Sequence, residues 1–225
     1  MNELLDFLRE LRRHNDKEWF DAHRKQYAAV REYHRQLTEQ LIGGIASFDP
    51  TVCGLRPQDC TYRINRDTRF SADKSPYKTW MGIFIAPRGK KSGYGGYYFH
   101  IEPDGEGMWH HQLISGVYMP EGPVLKSIRD EILDNGAEIA QALREAEGFR
   151  LYEGNKLKRM PKGYPEGGEY DEWLKLKEFW IGKGLTDEEL LDPDIARRVV
   201  EEFRHTHHLI EILNRAVRFA YEEMM

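Results

Sequence analysis

The chain has almost no cysteine: Cys53 and Cys60 are the two in 225 residues. Their spacing is not that of a zinc site and no second pair exists, so neither a disulfide framework nor a thiolate metal centre is expected. Long apolar runs are also missing. The cleanest, Met81 to Pro87, falls far short of the ~20 residues that cross a bilayer. The opening MNELLDFLRELRR interrupts its leucines with charges, unlike the core of a signal peptide. No membrane partner is expected, and the cytoplasm is the expected compartment. There is no G-x-S-x-G element to argue for a serine hydrolase. GKKSG at 89–93 lacks the earlier glycine of a phosphate loop, with Phe84 in its place. Internal repeats and low-complexity tails are absent too.

What is present suits a folded, polar-surfaced chain. Hydrophobic residues make up 40% and charged residues 32%, with a mean hydropathy of −0.71. Aromatics at 12% supply more buryable surface than disordered chains carry. The length predicts one domain over 1–225.

Leu4, Leu5, Leu8 and Leu11 recur at helical spacing. Asp16 is placed to cap a second helix whose apolar positions run from Trp19 to Ile45, before Asp49-Pro50 stops it. The middle of the chain reads as short strands: Thr61–Ile64, Trp80–Ala86, Gly96–Glu102 and Met108–Tyr118, with turn residues between the later ones. Helix returns at Pro123–Asp134, breaks at Asn135-Gly136 and restarts over Ala137–Glu147. Further strands are predicted at Phe149–Glu153 and Glu178–Leu185, with a helix near Tyr170–Lys175 between them. A final long helix starts at Asp192-Pro193 and carries Ile195, Val199, Phe203, Ile210, Leu213 and Val217. This order predicts an α+β fold, an antiparallel meander packed by N- and C-terminal helices.

Charge is distributed unevenly. The net charge is −5, yet Arg56 to Lys91 holds nine Lys/Arg against three Asp. A basic segment in an acidic chain points to a local anion site and disfavours a nucleic-acid-coating protein. Within it, RINRDTRFSADKSPYKTW places Arg63, Arg66, Arg69, Lys74 and Lys78 on one loop, with Asp67 and Asp73 to orient them. Guanidinium forks grip phosphate or carboxylate through two bonds at once. The competing reading is an ion-pair network between this loop and acidic helices. Tyr62, Phe70 and Tyr77 suit packing better than stacking, although Tyr77 lies within the candidate ligand-binding loop. His100 and Glu102 share one strand face, whereas His110 and His111 point to opposite faces. His205 and His208 share a helix face. No convergence of three metal ligands is readable, so no metal and no cofactor is expected. His100, His110 or a nearby tyrosine could act as acid or base.

RDTRFSADKSPYKTW resembles the central motif of a conserved family known as domain of unknown function 2461. NDKEWFDAHRKQY at 15–27, GGYYFHIEP at 95–103, GVYMPEGPVLKSIR at 116–129 and LKRMPKGY at 157–164 are similar to its other motifs. The chain departs from the pattern at Ala72, often lysine in the family, and at Tyr118, often tryptophan. The resemblance implies an intact domain and names no reaction. It also draws attention to Lys158, Arg159 and Lys162, a second basic loop that would form one cleft with the first if it folds against it and is otherwise a solvated basic turn. The expected function is therefore binding of a small phosphate- or carboxylate-bearing ligand, with catalysis left open. The alternatives are a non-enzymatic module docking an acidic protein partner, and a nucleic-acid-contacting protein.

Overall fold

Helices pack on the sheet in two apolar clusters that meet along it. The computed structural model describes residues 1–105 and 110–224. Five strands, β1 (Met81–Ile85), β2 (Gly96–Ile101), β3 (Gln112–Val117), β4 (Arg150–Leu151) and β5 (Phe179–Gly184), form an antiparallel sheet in the order β1-β2-β3-β5-β4. The first three strands are the expected meander. Residues 108–109 of the predicted third strand lie outside the described residues.

Side chains alternate across a strand, so register decides which residues share a face. Ile83, Phe99 and Leu113 fall in one row, and Ile85, Tyr97, Ser115 and Ile181 in the next. All are buried. Helices α1 (Asn2–Arg13), α3 (Arg24–Ala46) and α8 (Ile195–Arg204) cover the β1–β2 side of this face. Helices α5 (Gly122–Glu145) and α9 (His207–Glu223) cover the β3–β5 side. The leucines of α1 are each worth about 1.5–3 kcal/mol on burial, and Leu4, Leu5, Leu8 and Leu11 are all in the core. Short helices α2 (Lys17–Ala22), α4 (Pro57–Cys60), α6 (Asp171–Leu174) and α7 (Asp187–Leu190) complete the α+β architecture. Among the described residues no helix is long and apolar enough to cross a membrane.

Several boundaries differ from the sequence expectation, for local reasons in one case and tertiary reasons in others. Asp16 caps its helix, accepting from Trp19 N at 2.9 Å. That helix ends at Ala22, however, and α3 starts afresh at Arg24. His23 between them stacks on Trp19 at 4.0 Å and bonds Trp19 O through Nδ1 at 2.7 Å. Thr61–Ile64 is no strand; only isolated bridges, Thr61 to Ile83 and Asn65 to Tyr77, continue the sheet past β1. The break expected at Asn135-Gly136 is present: Asn135 leaves helical geometry (φ −129°, ψ 29°), and α5 is two helices joined across a kink. A side chain at 136 would put its Cβ 2.2 Å from the Tyr170 ring, so only glycine admits this approach. The last helix starts at Ile195, not at Pro193, and it is two helices. Thr206 turns inward at the break, bonding Phe203 O at 2.8 Å and Ser115 Oγ at 2.7 Å.

Candidate functional site

Two of the five cations on the loop Arg63–Lys78 are neutralised by carboxylates of the loop itself. Arg66 bonds Asp73 and also reaches Ser75 O at 3.2 Å. Two bonds from Ser75 and then the Arg66 guanidinium hold the Asp73 carboxyl well below the usual range. Arg69 clasps Asp67 through Nε at 3.0 Å and an Nη at 2.7 Å, which lowers the Asp67 pKa. Lys74 donates to Thr68 O at 2.9 Å. Asp67 and Asp73 do orient cations, but they also consume them. Tyr77 is a packing residue: it is buried, stacks on Phe20 at 4.0 Å, and is clamped through its backbone by the Asn15 side chain. Lys78 lies 4.6 Å over the Trp80 ring, and burial, then Arg63, lowers its pKa.

The two basic loops do not meet in one cleft. The first runs beside the outer edge of β1 and enters that strand at Met81, opposite Ile101. The second, with Lys158, Arg159 and Lys162 exposed, joins β4 to β5 and enters β5 at Phe179, opposite Val117. These are diagonally opposite corners of the sheet.

Of the predicted cations, Arg63 lines a sizeable groove. This space, ≈ 920 Å³, lies between α3 and the Arg56–Asn65 segment. Arg31, Arg35, Arg56 and Arg63 line it, together with Glu32, Glu39 and His34. Arg35 pairs with both glutamates, and its bond with that of Gln36 pulls Glu32 down to about 2. Arg56 pairs with Asp59 at 3.2 Å. Arg31 and Arg63 have no ion-pair partner among the described residues. His34 is 4% exposed, its Nε2 is buried with no partner, and burial pushes its pKa down to about 4. Helical spacing puts Tyr27, Arg31 and His34 on neighbouring turns of one face, a pattern visible in the sequence. Their meeting with Arg56 and Arg63 was not visible there.

The family model described as "Conserved hypothetical protein (DUF2461)" matches residues 3–211. The chain belongs to this family. No curated protein and no solved structure matches it. The family match spans both the groove and the full sheet.

One cluster combines the donor types of a metal site: His110, His111 and Asp187. The Glu102 backbone N–H donates to His111 Nδ1 at 3.1 Å, while His111 Nε2 meets Asp187 at 2.9 Å. A ligating histidine donates through its second nitrogen. His111 accepts there, so Nε2 must carry the proton and has no lone pair for a cation. Arg9 already pairs with Asp187. The donor set does not fit a divalent ion, and burial keeps His111 neutral by lowering its pKa to about 4.

Proposed function

We propose that the protein binds a small phosphate- or carboxylate-bearing molecule in the groove between α3 and the Arg56–Asn65 segment. One observation carries this reading: Arg31 and Arg63, without ion-pair partners among the described residues, line a ≈ 920 Å³ space. That volume falls within the ~300–1,000 Å³ of small-molecule sites. The guanidinium groups supply bidentate donors to an oxyanion. Arg56 and Gln58 lie on the same rim, and Tyr27 and Tyr62 supply apolar walls. The acidic remainder of the chain supports a confined anion site over a nucleic-acid surface.

A thermal-shift panel of inorganic phosphate, pyrophosphate, citrate and nucleoside monophosphates tests this, because a ligand of the native state raises the melting temperature. At least one probe should stabilise the wild type, and the shift should vanish in Arg31→Ala/Arg63→Ala. If no probe shifts the wild type, or the double variant responds equally, the groove is not an anion site. Steeply salt-dependent capture of mixed oligonucleotides in place of these probes would favour the nucleic-acid alternative.

A further inference from the structure

His34 stands where the buried stripe of α3 meets the groove. Val30, Leu37 and Leu41 of that stripe are in the core. His34 is buried too, yet it forms part of the groove wall. Thr38 Oγ1 donates to the His34 backbone carbonyl at 2.7 Å and does not engage the ring. Nε2 has no hydrogen-bond partner among the described residues. Buried polar atoms are ordinarily paired, so an orphan in a groove wall points to a partner supplied from outside.

The charges around this ring are mainly positive. Arg31 and Arg35 flank it on α3, and Arg56 and Arg63 stand on the opposite wall. Glu32 and Glu39, the carboxylates lining the groove, are both held by Arg35, and Asp59 behind it is held by Arg56. Burial raises the pKa of Tyr27 and of Tyr62, so both phenols stay neutral. Helix α1 meets α3 through Phe7, stacked on Tyr27 at 5.7 Å, and α8 meets it through Val200 at Gly44; both contacts are apolar. A proton on His34 would thus be buried beside guanidinium groups, with each lining carboxylate already taken. Burial keeps the ring neutral. An oxyanion gripped by Arg31 and Arg63 reverses this balance. It brings opposite charge to the wall that His34 forms and an acceptor for an imidazole N–H.

We infer that the groove takes up its anion together with one proton, and that His34 is the group that receives the proton. This rests on the reading of the groove as an anion site. The proton comes from solvent and adds to the neutral imidazole, no bond of the ligand breaks, and proton and anion leave together when the pH rises. The ligand class is narrowed as well. A fully ionised oxyanion is favoured, because one that carries its own proton offers His34 less negative charge.

Linkage sets the sign. The bound protein holds more protons than the free protein, so affinity rises as pH falls towards about 4, the pKa of His34 without the anion. An opposite charge at close range moves a pKa by about 1–3, so binding should tighten about 10-fold between pH 7.5 and pH 5.

Sulfate is the probe, because it stays doubly charged over that range and adds no titration of its own. Isothermal titration calorimetry at pH 7.5, 6.5, 5.5 and 5.0, in two buffers of different ionisation enthalpy, gives the affinity and the protons taken up. Circular dichroism confirms the fold at each pH. The wild type should bind about 10-fold more tightly at pH 5 and take up most of one proton per sulfate there. His34→Gln keeps a polar side chain that cannot titrate, and should bind sulfate with most of the slope and the proton uptake gone. ¹H–¹⁵N spectra of the imidazole at pH 5.5 should show His34 neutral alone and protonated with sulfate. Sulfate that binds independently of pH, and is lost in Arg31→Ala/Arg63→Ala, overturns this inference and leaves the groove an anion site. A slope undiminished in folded His34→Gln overturns it by assigning the proton elsewhere. Sulfate that binds at no pH also overturns it, and the phosphate and citrate panel then decides the groove reading separately.

Discussion

Acidification should destabilise the protein through His34. Burial lowers its pKa to about 4, against about 6.5 in the unfolded chain. Between those values the unfolded state takes up a proton that the native state refuses. The unfolded state therefore binds more protons, and stability falls as pH falls. The linkage gives a loss of about 2 kcal/mol by pH 5 and about 3 kcal/mol by pH 4, with none above pH 7. Replacement by leucine removes the titration and the unpartnered Nε2 together. At pH 7 His34→Leu should hold or gain stability, since an orphaned buried polar atom costs about 1–3 kcal/mol. Below pH 6.5 its advantage over the wild type should widen by those same amounts. Urea unfolding of both proteins at pH 7, 6, 5 and 4 measures the difference. His111 titrates in the same window in both proteins and cancels. A wild-type-to-variant difference that stays constant across the series would refute the reasoning.

Three other outcomes follow from the packing. Gly136→Ala should destabilise by about 1–3 kcal/mol despite its helix propensity, because the new Cβ meets the Tyr170 ring; a Tyr170→Ala background should recover most of the loss in chemical denaturation. Tyr97→Phe removes the 3.0 Å bond to buried Asp49 and the 2.8 Å bond to His207, and should lower stability by about 1–3 kcal/mol in urea titration. Phe70 is 96% exposed at its loop tip, so Phe70→Ser should change stability by no more than about 0.5 kcal/mol.

Local chemistry made much of this molecule readable from its residues. The Asp16 cap, the leucine face of α1 and the shared parity of His100 with Glu102 depend on neighbours a few positions away. The helix break at Thr206 was hidden, because Ser115 that helps set it is 91 residues distant, whereas the break at His23 rests on Trp19 four positions back, a local signal that the helical periodicity masked. Arg63 was a sound candidate on charge alone, but Arg31, His34 and Arg56 join it only after α3 packs beside the Arg56–Asn65 segment. The single-cleft expectation failed on strand order. With β5 beside β3 and β4 outside it, the loop carrying Lys158 is carried to the far corner.

Helix α1 has partners both near to it and far along the chain. Arg9 and Arg12 on α1 reach Asp187 and Glu102, 178 and 90 positions downstream. Its leucines share a core with Leu185 and Leu190. During synthesis α1 can meet Trp19, Phe20 and Tyr27 early through Phe7, but its contacts with Glu102 and Asp187 wait for much more of the chain. The Arg9–Asp187 tie can close only once α7 has cleared the exit tunnel.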